Sequence, residues 1–203
     1  MLMYPETDLI NTSGNSFQYL GMGFCNNIRV KLENVVLPAV AEIAYASGAA
    51  VMMRADLLKE YGLWDEDFVM YHEDIEYCLR LRVAGYKIVM VRDSVFYHKY
   101  AFGRNKEKFY DIERNRWGVL LMFYKLPTLL LLFPMFLIFE LGLLVFAWQK
   151  EWIDEKLRAY SYWFNLAHIN LWLKKRERIQ KMRKIGDKEL MKNFVGEIIF
   201  DDA

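Results

Sequence analysis

Tyr71-His72-Glu73-Asp74-Ile75-Glu76-Tyr77-Cys78-Leu79-Arg80-Leu81-Arg82-Val83-Ala84-Gly85-Tyr86-Lys87-Ile88-Val89-Met90-Val91 decides how this chain folds. Ile75, Cys78, Leu79 and Val83 recur at helical spacing, so a helix is expected, with Arg80 and Arg82 on its outer side. Glu73 and Asp74 fall at its first turn, where the helix dipole favours negative charge. Gly85 ends the helix, and residues 87–91 carry the clearest strand signal in the chain. Upstream, residues 55–61 read as a short helix stopped by Gly62, and Leu63-Trp64-Asp65-Glu66-Asp67-Phe68 as an acidic aromatic loop. Before them, Ser47-Gly48-Ala49-Ala50 leads into Val51-Met52-Met53, an apolar run of strand length. At the N-terminus, Leu2-Met3-Tyr4 and Asp8-Leu9-Ile10 flank Pro5-Glu6-Thr7 and read as a hairpin. The rest of residues 1–36 shows turn chemistry. Downstream, Val95-Phe96-Tyr97 reads as a short strand leading to His98. Helices alternating with apolar strands give an α/β or α+β head.

Composition narrows the function classes. The chain has 203 residues, 27 Lys and Arg against 26 Asp and Glu, and 55% hydrophobic residues. That balance excludes a histone-like protein and wholesale disorder. Cys25 and Cys78 are too few for a disulfide scaffold and fit no paired metal spacing, so a reduced compartment is the default. The charge is unevenly spread. Residues 1–98 hold 8 basic and 13 acidic side chains, residues 99–125 hold 7 and 3, and residues 174–188 hold 8 and 2. Two basic blocks therefore flank the most apolar stretch, which suggests a water-soluble head and a membrane-facing tail.

That stretch, residues 126–148, contains one ionisable group, Glu140. Leu129-Leu130-Leu131-Leu132-Phe133 has no polar face, unlike an amphipathic surface helix. The length matches the ~20 apolar residues of a membrane-spanning helix. Two features oppose a simple crossing: Pro134 favours a kink, and basic blocks on both sides conflict with the positive-inside rule. A re-entrant or kinked hairpin would keep both blocks on the cytoplasmic side. Residues 160–173, with Tyr160, Trp163, Phe164 and Trp172, suit the headgroup level. The competing reading is a buried core helix of a soluble protein. For the basic residues 174–188 a solvated helix face and contact with anionic lipid both fit, whereas no nucleic-acid reader motif accompanies the charge.

Several chemistries are excluded by spacing. His72-Glu73 lacks the second histidine of a zincin, because position 76 is Glu76, and a calcium loop starting at Asp65 would need glycine where Met70 stands. Neither a phosphate-cradling GxxxxGK[ST] nor a GxGxxG opening a helix is present. Ser47, His98 and Asp74 do not form a hydrolase triad around a G-x-S-x-G elbow. What survives is the Glu73-Asp74 pair. One of its carboxylates is either a general base or an N-terminal helix cap.

Ser47-Gly48-Ala49, Arg54, residues 62–68, Tyr71-His72-Glu73-Asp74-Ile75-Glu76, Arg80-Leu81-Arg82, Gly85-Tyr86-Lys87-Ile88 and His98 together resemble, in order, the pattern of family 2 glycosyltransferases. The likeness is to the rhamnosyl- and galactofuranosyltransferase-like group with the GT-A fold. It implies an inverting transfer with Asp74 as catalytic base, and with Glu73 supporting it or binding the acceptor. Trp64 and Asp65 would face acceptor or donor sugar, Ser47 and Gly48 would lie beneath the acceptor, and His72 would join the substrate site. His98 would complete a site for Mg²⁺ or Mn²⁺ that neutralises the nucleotide diphosphate leaving group.

The family's Asp-x-Asp metal motif is not found upstream of Ser47, and Asp65-Glu66-Asp67 belongs to the acceptor-side loop. The resemblance therefore implies a partial GT-A fold, an α/β unit lacking the N-terminal nucleotide-binding half. Residues 1–115 would be the acceptor side, 116–148 a membrane-associated segment, and 149–203 an interfacial and basic helical tail. Most metal ligands and donor contacts are expected elsewhere, so the isolated chain is expected to be weakly active or inactive. The implied function is transfer of a sugar from a nucleotide-sugar donor to a glycan or lipid-linked acceptor in cell-envelope polysaccharide synthesis. Membrane lipids and no nucleic acid are the expected partners, and the catalytic part is expected in the cytoplasm. The alternatives are a non-catalytic, membrane-anchored module that binds glycan or a partner chain, and a membrane adaptor using the basic tail.

Overall fold

A computed structural model describes residues 1–99 and 106–197, which mix helices and strands. Strands β1 (Leu2–Met3), β2 (Asn15–Gln18), β3 (Gly23–Cys25) and β4 (Val40–Glu42) precede helices α1 (Ala55–Tyr61) and α2 (Glu73–Val83). Strands β5 (Val89–Val91) and β6 (Tyr97–His98) follow, and then helices α3 (Glu107–Phe123), α4 (Leu126–Gln149), α5 (Ile153–Trp163), α6 (Leu166–Met182) and α7 (Asp187–Leu190). Strand β7 (Phe194–Val195) comes last. Part of the first basic block (100–105) and the end of the expected tail (198–203) lie outside the described residues.

The strands are short and form three small sheets. β1 runs parallel to β6, with Met3 opposite His98. β2 is central in a second sheet, antiparallel to β3 and parallel to β7. β4 and β5 pair antiparallel. The expected N-terminal hairpin survives as a turn with a single bridge between Leu2 and Ile10, because β1 finds its ladder with β6 instead. Val51-Met52-Met53, expected as a strand, is extended without a ladder. Residues 11–36, read as turns, contain β2 and β3, whose polar side chains mask the period-two pattern.

α2 follows its sequence signal, but Arg80 and Arg82 correct the expected outer face. Arg80 is 0% exposed and Arg82 3%. Arg80 pairs with Glu76 one turn before it and donates to the carbonyls of Tyr61 and Leu63, both at 2.9 Å. Arg82 donates to the carbonyls of Ile43 and Leu190. Core contacts surround α2, and its guanidinium groups are buried because acceptors are buried with them.

α3 is the central element. Its apolar residues Val119, Leu120 and Phe123 share a core with Phe17, Ile75, Leu79, Trp172 and Phe194. Trp172, expected at the headgroup level, is fully buried and stands edge-on to Phe68 at 5.3 Å. The basic residues 174–188 are likewise not one solvated face. Arg176 donates to the carbonyls of Leu121 and Tyr124, Gln180 to Met122, and Arg183 to Phe123. These are the terminal carbonyls of α3, which lack intrahelical partners and carry the negative end of its dipole.

α4 is a single helix continuous through Pro134, without the break a hairpin needs. Its one ionisable group is held by polar side chains from two other helices, α3 and α5. Glu140 accepts from Lys156 Nζ and Tyr160 Oη, each at 2.7 Å, and pairs with Arg116. Glu113 completes the cluster, pairing with Arg116 at 2.7 Å and with Lys156. Burial alone would raise the Glu113 pKa, but Arg116 and Lys156 outweigh it and hold the carboxyl at about 2.

Gly118 is where α3 and α6 meet most closely. A Cβ there would fall 2.3–2.6 Å from three ring carbons of Trp172, and the enclosed indole has little room to give. Gly118→Ala is expected to cost about 1–3 kcal/mol by overpacking. In urea unfolding, Gly118→Ala combined with Trp172→Phe should cost less than the sum of the two single changes.

Candidate active site

The Glu73-Asp74 pair opens α2 from a strained loop. Val69, Tyr71 and His72 have φ of 52°, 63° and 64°, values that non-glycine residues rarely adopt. Such a run persists only where its surroundings over-determine it. Here Asn115 of α3 donates through Nδ2 to the carbonyls of Phe68 (2.9 Å), Met70 (2.9 Å) and Tyr71 (2.7 Å). Its neighbour Arg114 donates to the carbonyls of Asp67 and Phe68. Neither residue was identified from the sequence. The available signal was a run of four polar residues, 113–116, directly before the apolar second half of the helix.

His72 is the N-cap residue of α2, and its side chain does not cap. The ring is buried, and Nε2 lies 2.9 Å from the carbonyl oxygen of Gly21. Burial lowers its pKa to about 4, so the neutral ring donates this bond. His72 was expected at the substrate, and this buried bond makes it instead the tie between the 20s loop and the start of α2.

Asp74 is poised differently. Its Oδ1 accepts from the Ile75 amide at 2.8 Å and its Oδ2 from the Gly48 amide at 3.2 Å. Desolvation, then the neighbouring Glu73, raise its pKa to about 6, and the two backbone donors only partly counter them. Glu73 Oε2 is buried with no hydrogen-bond partner among the described residues. Gly48 lies over the pair; a Cβ there would meet Asp74 Cβ at 3.7 Å and Glu73 Oε1 at 4.0 Å. The Ser47-Gly48 loop is set from below by Cys78, whose Sγ accepts from the Ala46 amide at 3.3 Å. Ser47 Oγ itself accepts from the Ala49 amide.

The other candidates divide. The Trp64 ring is partly exposed and leans on Tyr77, one turn beyond Asp74, at 4.7 Å. Asp65 is used structurally: it caps the 66–68 turn through the Asp67 amide and takes an ion pair from Lys175 of α6. A cleft of about 520 Å³ opens beside Trp64, with Lys174, Lys175 and Arg178 on its α6 side. His98 lies in β6, where its Nδ1 is 3.2 Å from Asn11 Oδ1. Among the described residues no three His, Cys, Asp or Glu side chains gather to hold a metal ion.

Asn115→Ala removes the donor to the Met70 and Tyr71 carbonyls of the strained loop and one of the donors to Phe68. Unfolding in urea should show a loss of about 2–4 kcal/mol, and amide exchange should accelerate first at residues 68–74.

No curated protein and no solved structure matches the chain. Residues 32–119, which run from the first loops through α2 to the middle of α3, match the family described as "Glycosyltransferase like family 2". The match takes in Gly48, Trp64, the Glu73-Asp74 pair and the Asn115 clamp. Over these residues the chain is similar to family 2 glycosyltransferases.

Proposed function

We propose that residues 1–115 form the acceptor side of an inverting glycosyltransferase of GT-A type, with Asp74 as the base. A transferase of the glycosyl kind, using a nucleotide-sugar donor and an acceptor, follows from the family match. The finer reading rests chiefly on one observation: Asp74, its pKa raised by burial, and the unpartnered Glu73 Oε2 lie together beside the backbone of Gly48. An acceptor hydroxyl there would donate its proton to Asp74 while its oxygen bonds to the anomeric carbon. The bond from that carbon to the diphosphate breaks, and the nucleoside diphosphate leaves with the electron pair. Glu73 Oε2 would accept from a second hydroxyl of the same sugar, and the exposed face of Trp64 would pack on its ring.

Among the described residues no cluster of three His, Cys, Asp or Glu side chains is present to hold Mg²⁺ or Mn²⁺. Donor contacts and metal ligands belong, in this reading, to residues other than these. The acceptor we favour is a glycan or lipid-linked sugar of the cell envelope, with the catalytic part on the cytoplasmic side of a membrane. One helix long and apolar enough to cross a membrane supports it.

The base must be ionised to act, so transfer should rise with pH through about 6, the Asp74 pKa. In membranes from cells expressing the native gene, Asp74→Asn should lose at least ~100-fold in transfer. Stability should move the other way. A carboxyl whose folded pKa lies above its unfolded value costs stability as pH rises from about 4 to about 6. Asp74→Asn should therefore be more stable than the parent at pH 8, by up to about 3 kcal/mol, and gain nothing at pH 4. Retained transfer in Asp74→Asn would remove the base assignment. No transfer by the parent from any nucleotide sugar would favour a non-catalytic glycan- or partner-binding module.

A further inference from the structure

We propose that α4 lies flat in one leaflet of a lipid bilayer, along its whole length, and does not cross it. The helix has 24 residues, and an 18-residue stretch of it has mean hydropathy 2.6, enough by composition to span. Its burial pattern argues otherwise. Leu129, Leu132, Phe136, Phe139, Glu140, Leu143 and Ala147 recur every three or four residues and form the inward stripe. At 100° per residue, these seven positions centre on one side of the helix. The most exposed, among them Leu130 (67%), Ile138 (72%), Leu141 (65%) and Trp148 (71%), centre on the opposite side.

The protein body thus flanks α4 from its first turns to its last. Near the N-terminal end Leu129, Leu132 and Phe136 close an apolar cleft of about 230 Å³ against Tyr19, Trp117 and Leu120. In the second half Phe139 and Leu143 pack on Leu20, and Glu140 is locked to Arg116 and Lys156. At the C-terminal end Phe146 meets Trp152.

Perpendicular insertion would carry this body through the ~30 Å hydrocarbon layer. With it would go solvent-facing charge on α5 beside α4, Asp154 and Arg158. Charges at that depth are costly and normally face a bundle interior or water. Lying flat needs none of this. The outer face, from Leu126 to Trp148, presents no ionisable side chain to the acyl chains. Lys125 and Lys150 flank the two ends, and in a flat helix both reach the same plane of anionic headgroups. Depths of ~5–10 Å are usual for helices held at this level.

The experiment uses single-cysteine variants Leu130→Cys, Ile138→Cys and Val145→Cys of the whole chain, in a Cys25→Ser background, each carrying a small environment-sensitive fluorophore. Cys78 is buried, and the unsubstituted Cys25→Ser protein reports any labelling of it. The proteins are added to mixed phosphatidylcholine–phosphatidylglycerol vesicles containing lipids with a nitroxide near the headgroup or near the chain end. The expected result is one quenching ratio shared by all three labels, with the headgroup-proximal nitroxide the stronger quencher. A ratio that shifts towards the chain-end quencher at 138 and back at 130 and 145 would mean a crossing helix and overturn the proposal. No quenching by either lipid would mean that the face is covered by a second copy or stays in water, and would overturn it equally. The readout needs no sugar transfer, so it fails or succeeds independently of the glycosyltransferase reading.

Discussion

Three consecutive side chains of α3 hold the two functional halves of this molecule together. Arg114 and Asn115 reach one way, into the carbonyls of the 67–71 loop. Arg116 reaches another, to the Leu20 carbonyl at 3.0 Å and into the carboxylates of Glu113 and Glu140. All three side chains are buried, where an unsatisfied donor would be expensive. Each finds acceptors among these buried groups. The loop that presents Asp74 and the helix that carries the apolar face are fixed to the same rigid element, one residue apart.

This arrangement explains why an unfavourable backbone is tolerated next to the carboxylate pair. Three non-glycine residues with positive φ cost on the order of 1–3 kcal/mol each, and the donors from α3 and His72 offset that cost. The result is a carboxyl at a helix start, where the dipole favours its charge, yet desolvated enough to titrate near 6. A group held between those two influences is ionised in neutral solution and basic enough to take a proton. That combination is what a general base requires.

The same logic governs the basic residues of α6. By composition they looked like a surface for lipid. In place, Arg176 and Arg183 close the C-terminus of α3, Lys175 fixes the acidic loop, and Lys174 and Arg178 remain on the cleft beside Trp64. With β7 pairing to β2, the C-terminal residues complete the head's core.

Local signals were strong enough to be read without a structure where they acted within one element. The helix period over Ile75, Cys78, Leu79 and Val83, the stops at Gly62 and Gly85, and the ordered motif around Asp74 all belong to this kind. So does the apolar character of α4, which follows from its composition alone. What the sequence left open depended on partners far along the chain. Arg80 and Arg82 are inside because carbonyls from four other segments meet them, and Trp172 is inside because Gly118 leaves room for an indole. Asn115 matters because a loop 44 to 47 residues earlier is bent onto it. α4 has no polar face of its own, and only tertiary packing divides it into a docked stripe and an open one. A hydrophobic period records what one helix prefers, whereas which side of that helix is covered is a property of the surfaces brought against it.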